Sequence, residues 1–125
     1  MTVALQPVTD ALVSRLSDIA SVPVHVGARG DDVPALVVHQ VDGGGGFLRD
    51  LNASHSTGSF AWQVTCVAAT SDHAQSMRDA VVALVTESPP DGVKLAVCVS
   101  QGTLRPDRDV TPAVWVATPL FHLTV

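Results

Sequence analysis

The most constraining feature of the sequence is a strand pattern that runs directly into a helix pattern. Residues 59–68 alternate, with Gln63 and Thr65 on one face and an apolar row on the other, namely Phe60, Trp62, Val64 and Cys66. From residue 70 a helix is predicted, with Ser71 or Asp72 as N-cap. Its predicted buried stripe comprises Ala74, Met77, Val81, Leu84 and Val85. A sheet with a helix packed on one face satisfies both patterns.

The remaining elements follow from the same periodicities. An amphipathic helix is predicted over residues 7–20, with its apolar stripe at Val8, Ala11, Leu12, Leu16 and Ile19. Further strands are predicted at 22–26, 34–41, 93–99 and 113–125, with a charged turn at 102–110. Pro23 confines the first strand to a sheet edge, and Pro119 indicates a bulge or an edge in the last one.

These elements predict a single α+β domain over residues 1–125. Its sheet is mostly antiparallel and mixed, with about five strands, and two helices pack on one face. The order is α-β-β-β-α-β-β. The second and third strands form a long hairpin whose tip is the loop at residues 42–58.

That loop, DGGGGFLRDLNASHSTG, begins with four consecutive glycines. A Walker loop is excluded because no lysine follows the glycines, and a dinucleotide fingerprint because no crossover helix follows them. The preferred interpretation is a flexible hairpin tip that carries Phe47, Leu48 and Leu51. Ordering the glycines costs about 1–2 kcal/mol per residue, so we expect the tip to become ordered only against a partner.

The composition is apolar for a chain of this size, with 46% hydrophobic and 15% charged residues and a mean hydropathy of +0.32. We therefore expect part of the apolar surface to face another protein. No apolar run reaches the ~20 residues needed to span a bilayer, so no membrane association is expected. The net charge is -5 and the seven basic residues are scattered, which argues against direct nucleic-acid binding.

No arrangement of residues in the sequence indicates catalysis, a cofactor or a metal. Each of the five histidines falls in a different element, without a neighbouring nucleophile in a known signature. Cys66 and Cys98 lie in apolar runs, where each is expected to be a small buried hydrophobe rather than a disulfide or zinc ligand. The charged residues at 105–109 are interpreted as a solvated turn, with a subunit–subunit ion pair as the alternative.

The order of elements resembles that of tail terminator and related tail-completion proteins of long-tailed bacteriophages. The resemblance rests on four segments: VTDALVSRLSDIASVPVHV, VPALVVHQV, FAWQVTCVAATSDHAQSMRDAVVALV and RPDRDVTPAVWVATPLFHLTV. The alternating strand that leads into a helix beginning with Ser-Asp is similar to the central segment of that family.

The resemblance implies a non-enzymatic virion protein that is assembled in the host cytoplasm. Such a protein forms a homo-oligomeric ring, usually a hexamer, at the head-proximal end of the tail. The ring ends polymerisation of the tail-tube protein and contacts the neck or head-completion protein. The residues expected to make these contacts flank the two longest loops: Phe47, Leu48, Arg49, Asp50, Leu51, Arg105, Asp107 and Arg108.

Two alternatives remain open. A head–tail connector, neck protein or minor tail protein would share a small α/β fold of this kind. A protein of another class, a small ligand-binding α+β domain, would have a pocket beneath the glycine loop with polar groups such as His39, Arg49 and His55.

Overall fold

The structure, a computed structural model, describes residues 6–18, 22–27, 33–41, 59–109 and 112–124. The helices are α1 (Gln6–Leu16) and α2 (Ser71–Glu87). The strands are β1 (Val24–Val26), β2 (Ala35–Gln40), β3 (Ser59–Ala68), β4 (Leu95–Ser100), β5 (Leu104–Asp107), β6 (Val114–Ala117) and β7 (Leu120–Thr124). The predicted α+β class is confirmed, and its sheet contains seven strands within the described residues.

The seven strands occupy five side-by-side positions in the sheet, because β6 and β7 lie end to end in one position and β5 and β4 lie end to end in the next. β1 pairs with β2 in parallel, and every other pairing is antiparallel. β6 and β7 both pair with the same edge of β3, one after the other, and keep a single register along it. On their far side, β5 pairs with β6 and β4 pairs with β7. The predicted strand at 113–125 is therefore present as two shorter strands, β6 and β7, and β1 lies at an edge as Pro23 predicts.

The break between β6 and β7 lies beside the break between β4 and β5. Val64 donates its N–H to the carbonyl of Pro119 over 3.1 Å, but Pro119 has no N–H with which to return the bond. Opposite this break, Gly102 has a φ of +72°, and a Cβ there would collide with the carbonyl oxygen of Thr118. The close approach of the two backbones is possible because residue 102 is glycine.

The predicted charged turn at residues 102–110 is thus only partly correct. Its middle forms strand β5, which pairs with β6 from Leu104 opposite Ala117 to Asp107 opposite Val114. The chain reverses only after Asp107, between β5 and β6. The charges misled the prediction because an edge strand with one solvated face accepts charged residues as readily as a turn does.

Both helices pack on one face of the sheet and share one core. Its fully buried members include Leu12 and Leu16 of α1, Val81 and Val85 of α2, and Trp62 of β3. The predicted stripes are largely confirmed, although Ala11 and Leu84 are only half-buried and Ile19 lies outside the described residues. α1 ends at Leu16 rather than at residue 20. The N-cap of α2 is Thr70, one residue earlier than predicted, and its hydroxyl accepts a hydrogen bond from the His73 N–H over 3.2 Å.

The β2–β3 pairing is antiparallel as predicted, with Ala35 opposite Val67 and Gln40 opposite Trp62. Val41 extends the ladder by donating its N–H to the carbonyl of Ala61 over 2.9 Å. The glycine loop joins these strands, and residues 42–58 lie outside the described residues.

Candidate interface on the helix-free face

Side chains alternate between two faces of the sheet, and neither described helix packs on the second face. We call this second face the helix-free face. On β3 it carries Ala61, Gln63, Thr65 and Val67, while Trp62 and Val64 point into the helix-covered core. Val67 forms a small second apolar cluster there with Val114 and Val116 of β6.

A groove of about 550 Å³ lies on the helix-free face, where β3, β6 and β5 run side by side. The floor includes Gln63, Thr65, Val116 and Thr118, and the wall consists of Arg105, Pro106, Asp107, Arg108 and Asp109. We call this feature the charged groove. The register explains its position, since Arg105 lies opposite Val116 and therefore on the same face of the sheet.

The groove brings together the three predicted interface residues that the structure describes. Arg105, Asp107 and Arg108 all line it. Asp107 Oδ1 accepts a hydrogen bond from the Asp109 N–H over 3.1 Å, which turns the chain at the end of β5. The other five predicted interface residues, Phe47 to Leu51, lie outside the described residues.

One residue of the predicted ligand pocket, His39, lies within the described residues. His39 of β2 lies opposite Gln63 of β3, and its Nε2 is 3.2 Å from Gln63 Oε1. Gln63 in turn lines the charged groove, so His39 adjoins the groove without forming its wall. Arg49 and His55 are outside the described residues.

Strand β4 carries an exposed apolar row that was not predicted from the sequence. Leu95 and Val97 project from the helix-free side of this strand, and Val99 follows them at the register shift between Cys98 and Ser100. The three side chains are 56%, 46% and 51% exposed. We call these three residues the β4 stripe. Apolar residues on both faces of a strand predict that both faces are buried. The sequence of residues 95–100 alone does not indicate that β4 lies at an edge of the sheet.

Both cysteines are free thiols. Burial raises the pKa of the Cys66 thiol from 9.0 to about 12, and the charge of Arg78 opposes this only in part. Burial also raises the pKa of Cys98, which is half-buried because it lies on the outer strand β4. Cys66 therefore remains a neutral, unreactive core residue at neutral pH.

The four histidines within the described ranges are dispersed. His25, His39 and His122 lie on β1, β2 and β7, while His73 is exposed in the first turn of α2. Among the residues that the structure describes, no three His, Cys, Asp or Glu side chains are grouped to hold a metal ion. No helix in those ranges is long and apolar enough to cross a bilayer.

No protein-family model matches the chain, and no curated protein matches it either.

Proposed function

We propose that this protein is a structural subunit of a ring at the head-proximal end of a bacteriophage tail. The ring ends polymerisation of the tail-tube protein and joins the tail to the neck of the capsid. Two features support the proposal. The element order agrees with the expected one from α1 to α2, after which four strands follow instead of two, and both helices pack on one face of a mostly antiparallel sheet. The second feature, the charged groove, carries the proposal.

The charged groove brings together three residues that were expected to make subunit or tube contacts. Arg105 and Arg108 are exposed, Asp107 is half-buried, and β5 pairs on one side only. A ring requires one surface patch of each subunit to contact a different patch of the next. Charges of both signs in one place restrict the partners and the register that such a patch accepts.

The test is deletion of the gene from its phage genome, followed by electron microscopy of the particles with tail lengths counted. We expect overlong tubes that are not attached to heads. Tails of normal length detached from filled heads would instead indicate a connector or neck protein. Normal tails on normal heads would contradict both roles.

Complementation tests the groove itself. We expect the double variant Arg105→Glu, Arg108→Glu not to restore normal tail lengths, because two charges of the groove are reversed. Lys94→Glu is the matched control, since Lys94 is exposed but does not line the groove. Restoration by all variants alike would show that the groove makes no essential contact.

The groove also supports a second candidate function, the binding of a small ligand. Its volume of about 550 Å³ lies within the range of ligand pockets. Arg105 and Arg108 would contact a carboxylate or phosphate group. Thermal unfolding in the presence of small dicarboxylates and sugar phosphates tests this function. A ligand that raises Tm for the wild type but not for Arg105→Ala supports it, and no shift with any of them contradicts it.

A further inference from the structure

Three of the described strands have a neighbour on one side only: β1, β5 and β4. Exposed sheet edges invite pairing with other chains, and proteins protect them with short strands, prolines and charges. β1 has three residues and follows Pro23, and β5 contains Arg105, Pro106 and Asp107. β4 has six residues, LAVCVS, without a charge or a proline.

The β4 stripe is exposed because β4 has a neighbouring strand on one side only. Val67 and Val116, on the same face of inner strands, are 0% and 6% exposed, whereas Val97 is 46% exposed. His122 of β7 flanks Val97 on its inner side, and no described strand flanks it on the outer side. A further strand on that side would cover both the free backbone groups and the flank of each apolar side chain.

We propose that β4 pairs antiparallel with β4 of a second copy of this chain, about a two-fold axis at Val97. In this register Val97 faces the partner's Val97, and Leu95 faces the partner's Val99. On the helix-covered side, Ala96 faces the partner's Cys98. The two β4 stripes then form one continuous apolar row across the joined sheets.

The sequence of β4 favours a copy of itself as the partner. A two-fold contact requires a surface that is complementary to itself. Residues 95–99 read almost the same in both directions by size, with large apolar residues at the ends and centre and small ones between them. Lys94 would face the partner's Ser100, so no like charges are opposed.

One irregularity limits the length of the contact. The pairing of β4 with β7 shifts register between Cys98 and Ser100, and such a bulge bends a strand. Regular pairing is therefore confined to the residues around Val97, from Ala96 to Cys98, with Leu95 and the bulged Val99 at its two ends. An interface this short is smaller than that of a permanent dimer, so we expect a reversible one.

This inference does not rest on the proposed function. A two-fold contact uses the same patch on both subunits, whereas a ring contact uses two different patches. The β4 contact is also separate from the charged groove, whose wall begins at Arg105. Gene deletion tests the role in the tail, and the following measurements test the pairing alone.

The first measurement is sedimentation equilibrium across a wide range of protein concentrations. For the wild type we expect the average mass to rise from 13.0 kDa towards twice that value. Val97→Lys places two like charges opposite each other, and we expect it to weaken association at least about 10-fold. Val26→Lys is the matched control, because Val26 is also an exposed edge-strand valine, 56% exposed, and lies on β1.

A wild type that stays monomeric throughout would overturn the proposal. Association that Val97→Lys leaves intact, or that Val26→Lys weakens equally, would also overturn it. Both valines are about half exposed, so neither substitution inserts a charge into the core.

The second measurement is disulfide trapping in a Cys98→Ser background. Facing residues on antiparallel strands have Cα atoms about 4.5–5.5 Å apart, within the range that a disulfide spans. We therefore expect Val97→Cys to form a covalent dimer rapidly on mild oxidation. Val26→Cys in the same background is the control for random collision. Equal rates of cross-linking for the two variants would contradict the proposed register.

Discussion

Trp62 has the largest of the fully buried side chains, and its indole N–H needs a partner. The partner is Thr9 of α1, whose Oγ1 accepts the bond over 3.0 Å. This bond ties α1 to β3 in the centre of the core. Thr9→Val keeps the shape of the side chain and removes the acceptor, so we expect the free energy of unfolding to fall by about 1–3 kcal/mol.

Urea unfolding measures this change. Ser17→Ala is the control, because the Ser17 hydroxyl donates to the carbonyl of Val13 at an exposed position, where water can replace it. We expect the control to have little effect. A Thr9→Val protein as stable as the wild type would mean that the buried indole N–H finds another acceptor.

Cys66 makes stability dependent on alkaline pH. Its pKa is raised to about 12 in the folded protein, whereas an ordinary thiol has the value of 9.0. Above pH 9 the unfolded chain loses this proton and the folded protein keeps it, so the folded state binds more protons. The free energy of unfolding must then fall as pH rises from 9 towards 12, by about 1.4 kcal/mol per pH unit.

Urea unfolding on either side of pH 9 tests this slope. In Cys66→Ala the slope is expected to be shallower by that amount, even though the variant is less stable at every pH because a core cavity is left. Cys98→Ala is the comparison, and because Cys98 is less buried than Cys66, we expect its removal to change the slope less. The same slope in Cys66→Ala and the wild type would rule out this origin.

At the level of elements, Gly102 allows the break between β4 and β5 to lie directly beside the break between β6 and β7. Its φ of +72° is unfavourable for other residues, and a Cβ would meet the backbone of Thr118. Gly92 also has a positive φ, +83°, but a Cβ added there would have nothing within 4 Å of it. Substitutions at these two glycines therefore distinguish the cost of a positive φ from the cost of a steric collision.

We expect Gly92→Ala to destabilise the protein by about 1 kcal/mol, the cost of the left-handed conformation alone. Gly102→Ala should cost clearly more, because β5 must also move away from β6. Thermal unfolding of both variants gives the comparison. Equal losses would mean that the sheet edge adjusts freely at this point.

At the level of the whole molecule, the distribution of charge argues against nucleic-acid binding. The described cations are spread over both helices, the start of β4 and the charged groove, at Arg15, Arg78, Lys94, Arg105 and Arg108. Asp107 and Asp109 lie beside the two groove arginines. With a net charge of -5, the chain has no uniformly basic surface among its described parts with which to displace phosphate counterions.

We therefore expect no change in the fluorescence anisotropy of labelled duplex DNA at physiological salt. Lowering the salt should produce at most weak binding, because counterion release is the driving force for non-specific association. Tight binding whose affinity falls steeply with salt would contradict this expectation.

Local patterns predicted the element types because they depend only on near neighbours along the chain. The alternation at residues 59–68 and the three- and four-residue steps in α1 and α2 describe how side chains project from a strand or a helix. The α+β class, the β2–β3 hairpin and the edge position of β1 follow from such patterns. For Arg105, Asp107 and Arg108 the sequence indicates only charge and a position beside a long loop.

Only the tertiary structure decided which backbones lie side by side. It placed one break at Gly102, between β4 and β5, and another at Pro119, between β6 and β7. It also formed β5 within a predicted turn and brought Gln63 and Thr65 into one groove with Arg105. It also left β4 with one neighbour, so an apolar strand that reads as buried exposes Leu95, Val97 and Val99. The period of the side chains is a local property of the chain, whereas the burial of a strand depends on neighbours that come from distant parts of the sequence.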